Sequence, residues 1–289
     1  MTRFLQTLLA EGPVITDGAW GTQLQARGLP SGELPDVWNL TGAEHVAQVA
    51  QAYVDAGSQV ILTNTFGANR LRLRGHPLAK QVVEINRRGV ELSRRAAAGR
   101  AKVFASLGPT GRLLVAGETT VEEVRAAFDE QAKALADAAP DAIVVETMAD
   151  LAEAKLAVAA ACATGLPVVG CMVFNAGKNK DRTIMGVTPE EAAAALLEAG
   201  AEVVGGNCGQ GIANYVMICR RLRASTDRPI WIKPNAGLPS VEDGRPVYHT
   251  TAEEFASYVP ALVQAGANFI GGCCGTTPAF IKAIIQKLR

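Results

Sequence analysis

Short β-branched runs bounded by turn residues recur eight times along this chain, near residues 14–17, 60–64, 103–107, 142–147, 167–174, 202–208, 229–235 and 268–273. Alanine-rich amphipathic stretches separate them. This alternation leaves few architectures, because parallel strands need long crossovers and helices supply them. Eight such units with no break in composition predict an α/β fold: a single (β/α)8 TIM barrel spanning 1–289, preceded by a short N-terminal helix in MTRFLQTLLAEG. A doubly wound open sheet is the fallback. The segments DAGSQVILTN, DAAPDAIVVET, EAGAEVVGGNCG and QAGANFIGGCCG echo one another on strands two, four, six and eight. Thr followed three residues later by Glu marks helix starts at Thr41 with Glu44, Thr120 with Glu123, Thr188 with Glu191 and Thr251 with Glu254, which assigns those glutamates to capping. Pro189 suits a first helical turn, and Gly57, Gly200 and Gly266 suit helix ends.

The 289 residues carry 28 basic and 28 acidic side chains, so no net field draws nucleic acid or anionic lipid, and the expected substrate is a small molecule. No apolar run is long enough to cross a bilayer, and the N-terminus lacks a cleavage signature. Six dispersed cysteines do not make a disulfide framework; reduced thiols and a cytoplasmic location are expected.

A barrel puts its active site at the C-terminal strand ends. Polar residues collect there: Asp17 after strand one, Asn64 and Thr65 after two, Glu146 after four, Cys208 after six, Asn235 after seven, and Cys273 with Cys274 after eight. Adjacent residues of a regular strand face opposite ways, so Cys273 and Cys274 can share one ion only where the strand has broken up; Gly271, Gly272 and Gly275 permit that break. Three convergent thiols suggest Zn2+ with one open position, the catalytic pattern. His45 on a helix and His76 and His249 in loops read as surface histidines, and Cys162, Cys171 and Cys219 as small buried hydrophobes. An open position on a sulfur-rich zinc site suits a thiol substrate, since metal coordination removes a proton that otherwise leaves near pKa 8.5. Methyl or alkyl transfer to sulfur follows. A vicinal disulfide and a phosphate-binding glycine loop are the competing readings; strain opposes the first, and phosphate has no need of three thiols.

Seven segments in order, DGAWGTQLQ at 17–25, TNTFGAN at 63–69, GPTG at 108–111, VETM at 145–148, GGNCG at 205–209, PNAGLP at 234–239 and GGCCGTTP at 271–278, span nearly the whole chain. Together they resemble the homocysteine S-methyltransferase family, and within it the homocysteine-binding module of cobalamin-dependent methionine synthase. The resemblance implies that Cys208, Cys273 and Cys274 bind zinc and that homocysteine sulfur takes the open position. It further implies that Glu146 receives the substrate ammonium and that Asp17 with Gly18 lies against its amino-acid end. A charge-assisted hydrogen bond of about 1.5–3 kcal/mol would let Glu146 favour an α-amino thiol. Its alternative is a structural ion pair, and Asp17 could equally be a turn residue. Asn207 and Asn235 are second candidates for orienting substrate or backbone.

Methionine synthase carries folate, cobalamin and reactivation modules beyond such a barrel, and this sequence stops at Arg289 soon after the last expected helix. The expectation is methyl transfer from a separate methylated corrinoid protein, carrying methylcobalamin, or from a methyltetrahydrofolate-linked system; PNAGLP and GPTG look closer to the methionine synthase branch. Betaine or S-methylmethionine as small donors, a non-catalytic zinc-thiolate docking subunit, and a thiol methyltransferase with another acceptor are the alternatives. Trp20 and Trp38 could cage a quaternary ammonium or sulfonium group. Lys233 stands where an uncharged residue is expected in the family and, if it faces the mouth, disfavours a cationic donor.

Overall fold

The β-branched and aromatic runs form eight parallel strands: β1 (Val14–Ile15), β2 (Val60–Leu62), β3 (Lys102–Leu107), β4 (Ala142–Met148), β5 (Val168–Met172), β6 (Val203–Cys208), β7 (Ile230–Pro234) and β10 (Phe269–Ile270). A small antiparallel hairpin, β8 (Ser240–Glu242) with β9 (Arg245–Val247), lies in the connection before β10. The computed structural model describes residues 1–114, 116–242 and 245–288. Hydrogen-bonded neighbours run β1-β10-β7-β6-β5-β4-β3-β2, and a parallel bridge from Thr16 to Val60 joins the two ends. Gln59 reinforces that seam, its backbone N–H donating to Ile15 O and its side-chain oxygen accepting from Ile15 N, both at 2.8 Å. The sheet is therefore a (β/α)8 barrel, and the open-sheet fallback falls away.

The two-residue period of each strand sorts its side chains between two cores. Outward residues such as Val103, Ile143, Val145, Val204 and Ile232 join the helices in one buried cluster. Inward residues, among them Val60, Phe104, Val144, Val169, Trp231 and Phe269, form a second. Phe104 stacks on Trp231 at 6.0 Å between ring centroids, and Trp231 meets Phe269 at 5.1 Å. Fully burying an aromatic of this kind contributes about 1.5–3 kcal/mol. The predicted N-terminal helix, Arg3–Leu8, closes the N-terminal end of the barrel with buried Leu5 and with Phe4, whose ring lies 6.1 Å from that of Phe104. With the lower barrel filled, the same alternation carried upward turns Ser106, Glu146, Asn207 and Lys233 into the upper layer.

Thr120 and Thr188 make complete capping boxes with Glu123 and Glu191, and Thr251 accepts from Glu254 N. Thr41 does not cap. It ends a short helix, Trp38–Thr41, and its hydroxyl donates to Val37 O at 3.2 Å, so the following helix, Ala43–Ala56, starts from Gly42 without a side-chain cap. The chain before Thr41 is already helical, which makes the carbonyl four residues back the nearer partner. Gly57, Gly200 and Gly266 all take left-handed backbone after their helices, as expected.

Candidate metal centre

The eighth barrel strand stops at Ile270, three residues earlier than the sequence reading, and the glycine pair carries the chain out of regular pairing. A Cβ on Gly271 would stand 2.0 Å from Thr16 Oγ1, so only glycine lets this exit pass so close to β1. Backbone bonds then fix the thiol pair: Cys273 N donates to Pro234 O at 2.7 Å, and Cys274 O accepts from Ala236 N at 2.9 Å. Cys208 ends β6 in a left-handed conformation, φ 64°, unusual for a residue with a side chain.

These turns bring the sulfurs of Cys208, Cys273 and Cys274 within 4.8 Å of one another, the one metal-capable cluster of its kind among the described residues. A tetrahedral zinc with bonds of about 2.3 Å spaces its sulfurs about 3.8 Å apart, so the donor set fits this ion. All six cysteines are free. Hydrogen bonds from the Cys273 and Cys274 thiols hold Cys208 well below the ordinary thiol pKa, and those shared bonds raise Cys273 and Cys274. Asn235 donates from Nδ2 to Gly209 O at 2.9 Å and leaves its buried Oδ1 without a partner.

Glu146, inward on β4, accepts from Ser106 Oγ at 2.5 Å and Asn207 Nδ2 at 3.2 Å. Burial raises its pKa, with the Lys233 charge and the Ser106 hydrogen bond opposing. Asp17 is wholly buried: one oxygen pairs with Lys233 Nζ, and the other accepts from Trp20 Nε1 and Leu62 N, each at 2.7 Å. Beside the thiols lies a cavity of about 380 Å³ whose walls include Gly18, Trp20, Glu146, Lys233 and all three cysteines. Asp17, Asn207 and Asn235 stand behind that wall instead of on it, because each is engaged by neighbouring strands. Pro35, Asp36, Phe66 and Arg72 line the same cavity.

The profile of the homocysteine S-methyltransferase family matches residues 14–288. The chain belongs to this family. It is 29% identical over 299 residues to the methionine synthase of Mycobacterium tuberculosis and 30% identical over 302 residues to that of Mycobacterium leprae, covering 97% and 98% of this chain. In each case it spans about a quarter of the relative's length (25%). Among solved structures, the metallated homocysteine methyltransferase MmuM of Escherichia coli superposes with a TM-score of 0.82 at 24% identity, covering 99% of this chain and 100% of that one. The apo form of the same enzyme gives 0.76. These likenesses confirm the barrel.

Within the family frame, several site residues escaped the sequence reading. Ser106 shares the inward face with Phe104, and that alternation is the signal that could have found it. Tyr248, from the connection after β7, lies so close over Gly275 that a Cβ there would stand 2.2 Å from its ring. Trp20 lines the cavity, but Trp38 is absent from its walls and packs on His45 at 5.0 Å, so the two do not form a cage.

Proposed function

We propose that this protein methylates homocysteine to methionine, with Cys208, Cys273 and Cys274 holding Zn2+ and Glu146 receiving the substrate's α-ammonium. Bound zinc would supply acidity to a substrate thiol, lowering its pKa so that sulfur is nucleophilic near neutral pH. The chain's own contribution is positioning. Glu146 sets the amino-acid end, Gly18 and Trp20 wall it, and Asn207 and Asn235 brace the strand tips behind it. The observation that carries this reading is a cluster of three thiols opening on the same cavity as a buried carboxylate.

The rest of the cavity is left for the methyl donor, which we take to be a methylated corrinoid protein or a methyltetrahydrofolate-linked system. Similarity to methionine synthases supports this. So does the rim: Leu113, Ile184, Met185, Leu238 and Val241 are exposed on connections that follow β3, β5 and β7, a surface suited to covering by another protein. No helix among the described residues is long and apolar enough to cross a membrane.

The test is methionine formation by zinc-loaded protein from homocysteine with methylcobalamin, methyltetrahydrofolate, betaine or S-methylmethionine. Turnover with methylcobalamin is expected. Turnover with betaine alone overturns the donor assignment, and full zinc occupancy without turnover from any donor points to a docking subunit instead.

A further inference from the structure

We propose that Lys233 reads the α-carboxylate of the substrate, so that the cavity selects an amino-acid zwitterion over a simple aminothiol. The inference rests on the homocysteine reading above. Lys233 is only 1% exposed, yet it forms part of the cavity wall. Its ammonium has three N–H donors. Among the described residues, Asp17 is its one hydrogen-bond partner, which leaves two of those donors without a protein partner beside a largely apolar cavity. Such donors favour an anionic ligand, because a charge-assisted bond strengthens where water is excluded.

Asp17 is wholly buried and is not part of the cavity wall, so it does not meet the substrate's ammonium itself. Its second oxygen is taken by Trp20 Nε1 and Leu62 N, and its first by Lys233. Its role is to hold the lysine head in place. Glu146, in contrast, reaches the cavity and lies within electrostatic reach of Lys233. An α-amino acid carries its ammonium and carboxylate on one carbon, so a matching site needs an anion and a cation side by side. Glu146 and Lys233 form that pair, on a shared frame: Asn207 pairs in register with Lys233 across β6 and β7 and hydrogen-bonds Glu146.

The experiment compares homocysteine with 3-aminopropane-1-thiol, the same molecule without its carboxylate, by calorimetric binding to zinc-loaded protein and by methyl transfer. The wild type should prefer homocysteine by about tenfold or more, the scale of one charge-assisted hydrogen bond. Lys233→Met should erase that preference by weakening homocysteine alone, and Lys233→Arg should restore part of it. Because Lys233→Met strands the Asp17 charge, the Asp17→Asn/Lys233→Met double variant repeats the test with both charges removed. An unchanged preference in these variants, or equal weakening of both thiols, overturns the proposal while leaving the homocysteine reading intact. Wild-type protein that binds neither thiol overturns both.

Discussion

Replacing Glu146 with Gln removes one negative charge from the cavity and disturbs little else. A glutamine can keep both present contacts by turning its amide NH2 to Ser106, whose hydroxyl accepts as readily as it donates, and its oxygen to Asn207 Nδ2. What is lost is the charge-assisted part of the bond to a substrate ammonium. At about 1.5–3 kcal/mol, that loss raises the homocysteine Kd by about 10- to 150-fold. Calorimetric titration of zinc-loaded protein measures it directly. The pH profile adds a second readout, because burial raises the Glu146 pKa. The ammonium needs the ionised carboxylate, so affinity is full above that raised pKa and falls as pH drops through it, at higher pH than for an exposed glutamate. The Gln variant lacks this acid limb. A Kd within about threefold of wild type, or an acid limb in Glu146→Gln identical to that of the wild type, refutes the assignment, since protonation of the thiols at low pH weakens both proteins alike.

Cys208→Ala should bind well under one zinc per chain by elemental analysis while keeping its far-ultraviolet circular dichroism, since the thiol sits at a strand tip; full retention of zinc ends the three-thiol assignment. Burial raises Asp36 from 3.8 to about 6, so by linkage its charge costs about 3 kcal/mol of stability above pH 6, and that cost fades as pH falls from 6 towards 4. Asp36→Asn, which can still accept from Gly67 N, should therefore be more stable to urea near neutral pH and lose that pH dependence; an unaltered profile contradicts the buried charge. Gly275→Ala forces a Cβ towards the Tyr248 ring at a φ of 81° and should cost about 1–3 kcal/mol together with zinc affinity, whereas an unchanged melting temperature and zinc content would contradict both the backbone strain and the close ring contact.

The barrel was legible because strand and helix periods alternate without interruption, and the three-thiol cluster because its cysteines fell at the ends of two such strands. Glu146 was legible for the same reason: Val144 faces the barrel, so the residue two further on does too. The partner of Asp17 was not. It lies 216 positions away on β7, and nothing local to DGAW tells whether a lysine from another strand will claim the carboxylate. Thr41 failed for a related reason, since its capping motif is intact in sequence but the preceding turn is itself helical. The left-handed backbone at Cys208 also leaves no mark in composition, because it is imposed by contacts between strands.

Those contacts meet at Asn207. Cys208 at the tip of β6 and Thr147 at the tip of β4 are both non-glycine residues with left-handed backbone, φ 64° and 60°, each costing about 1–2 kcal/mol. Asn207 joins the two. Its Oδ1 accepts from Thr147 N at 2.7 Å, its Nδ2 donates to Thr147 Oγ1 at 2.6 Å and to Glu146 at 3.2 Å, and its backbone carbonyl is held by Tyr215 OH at 2.6 Å. The same Nδ2 lies 3.9 Å from Cys273 Sγ. One buried amide thus spans β5 to fix the carboxylate that would take an ammonium against the thiols that would hold a metal. A substrate with its ammonium and its sulfur at opposite ends of a short chain requires that separation to be constant. The strained residues lie where it is set, and burial of Asn207 behind the cavity wall keeps substrate from loosening the brace.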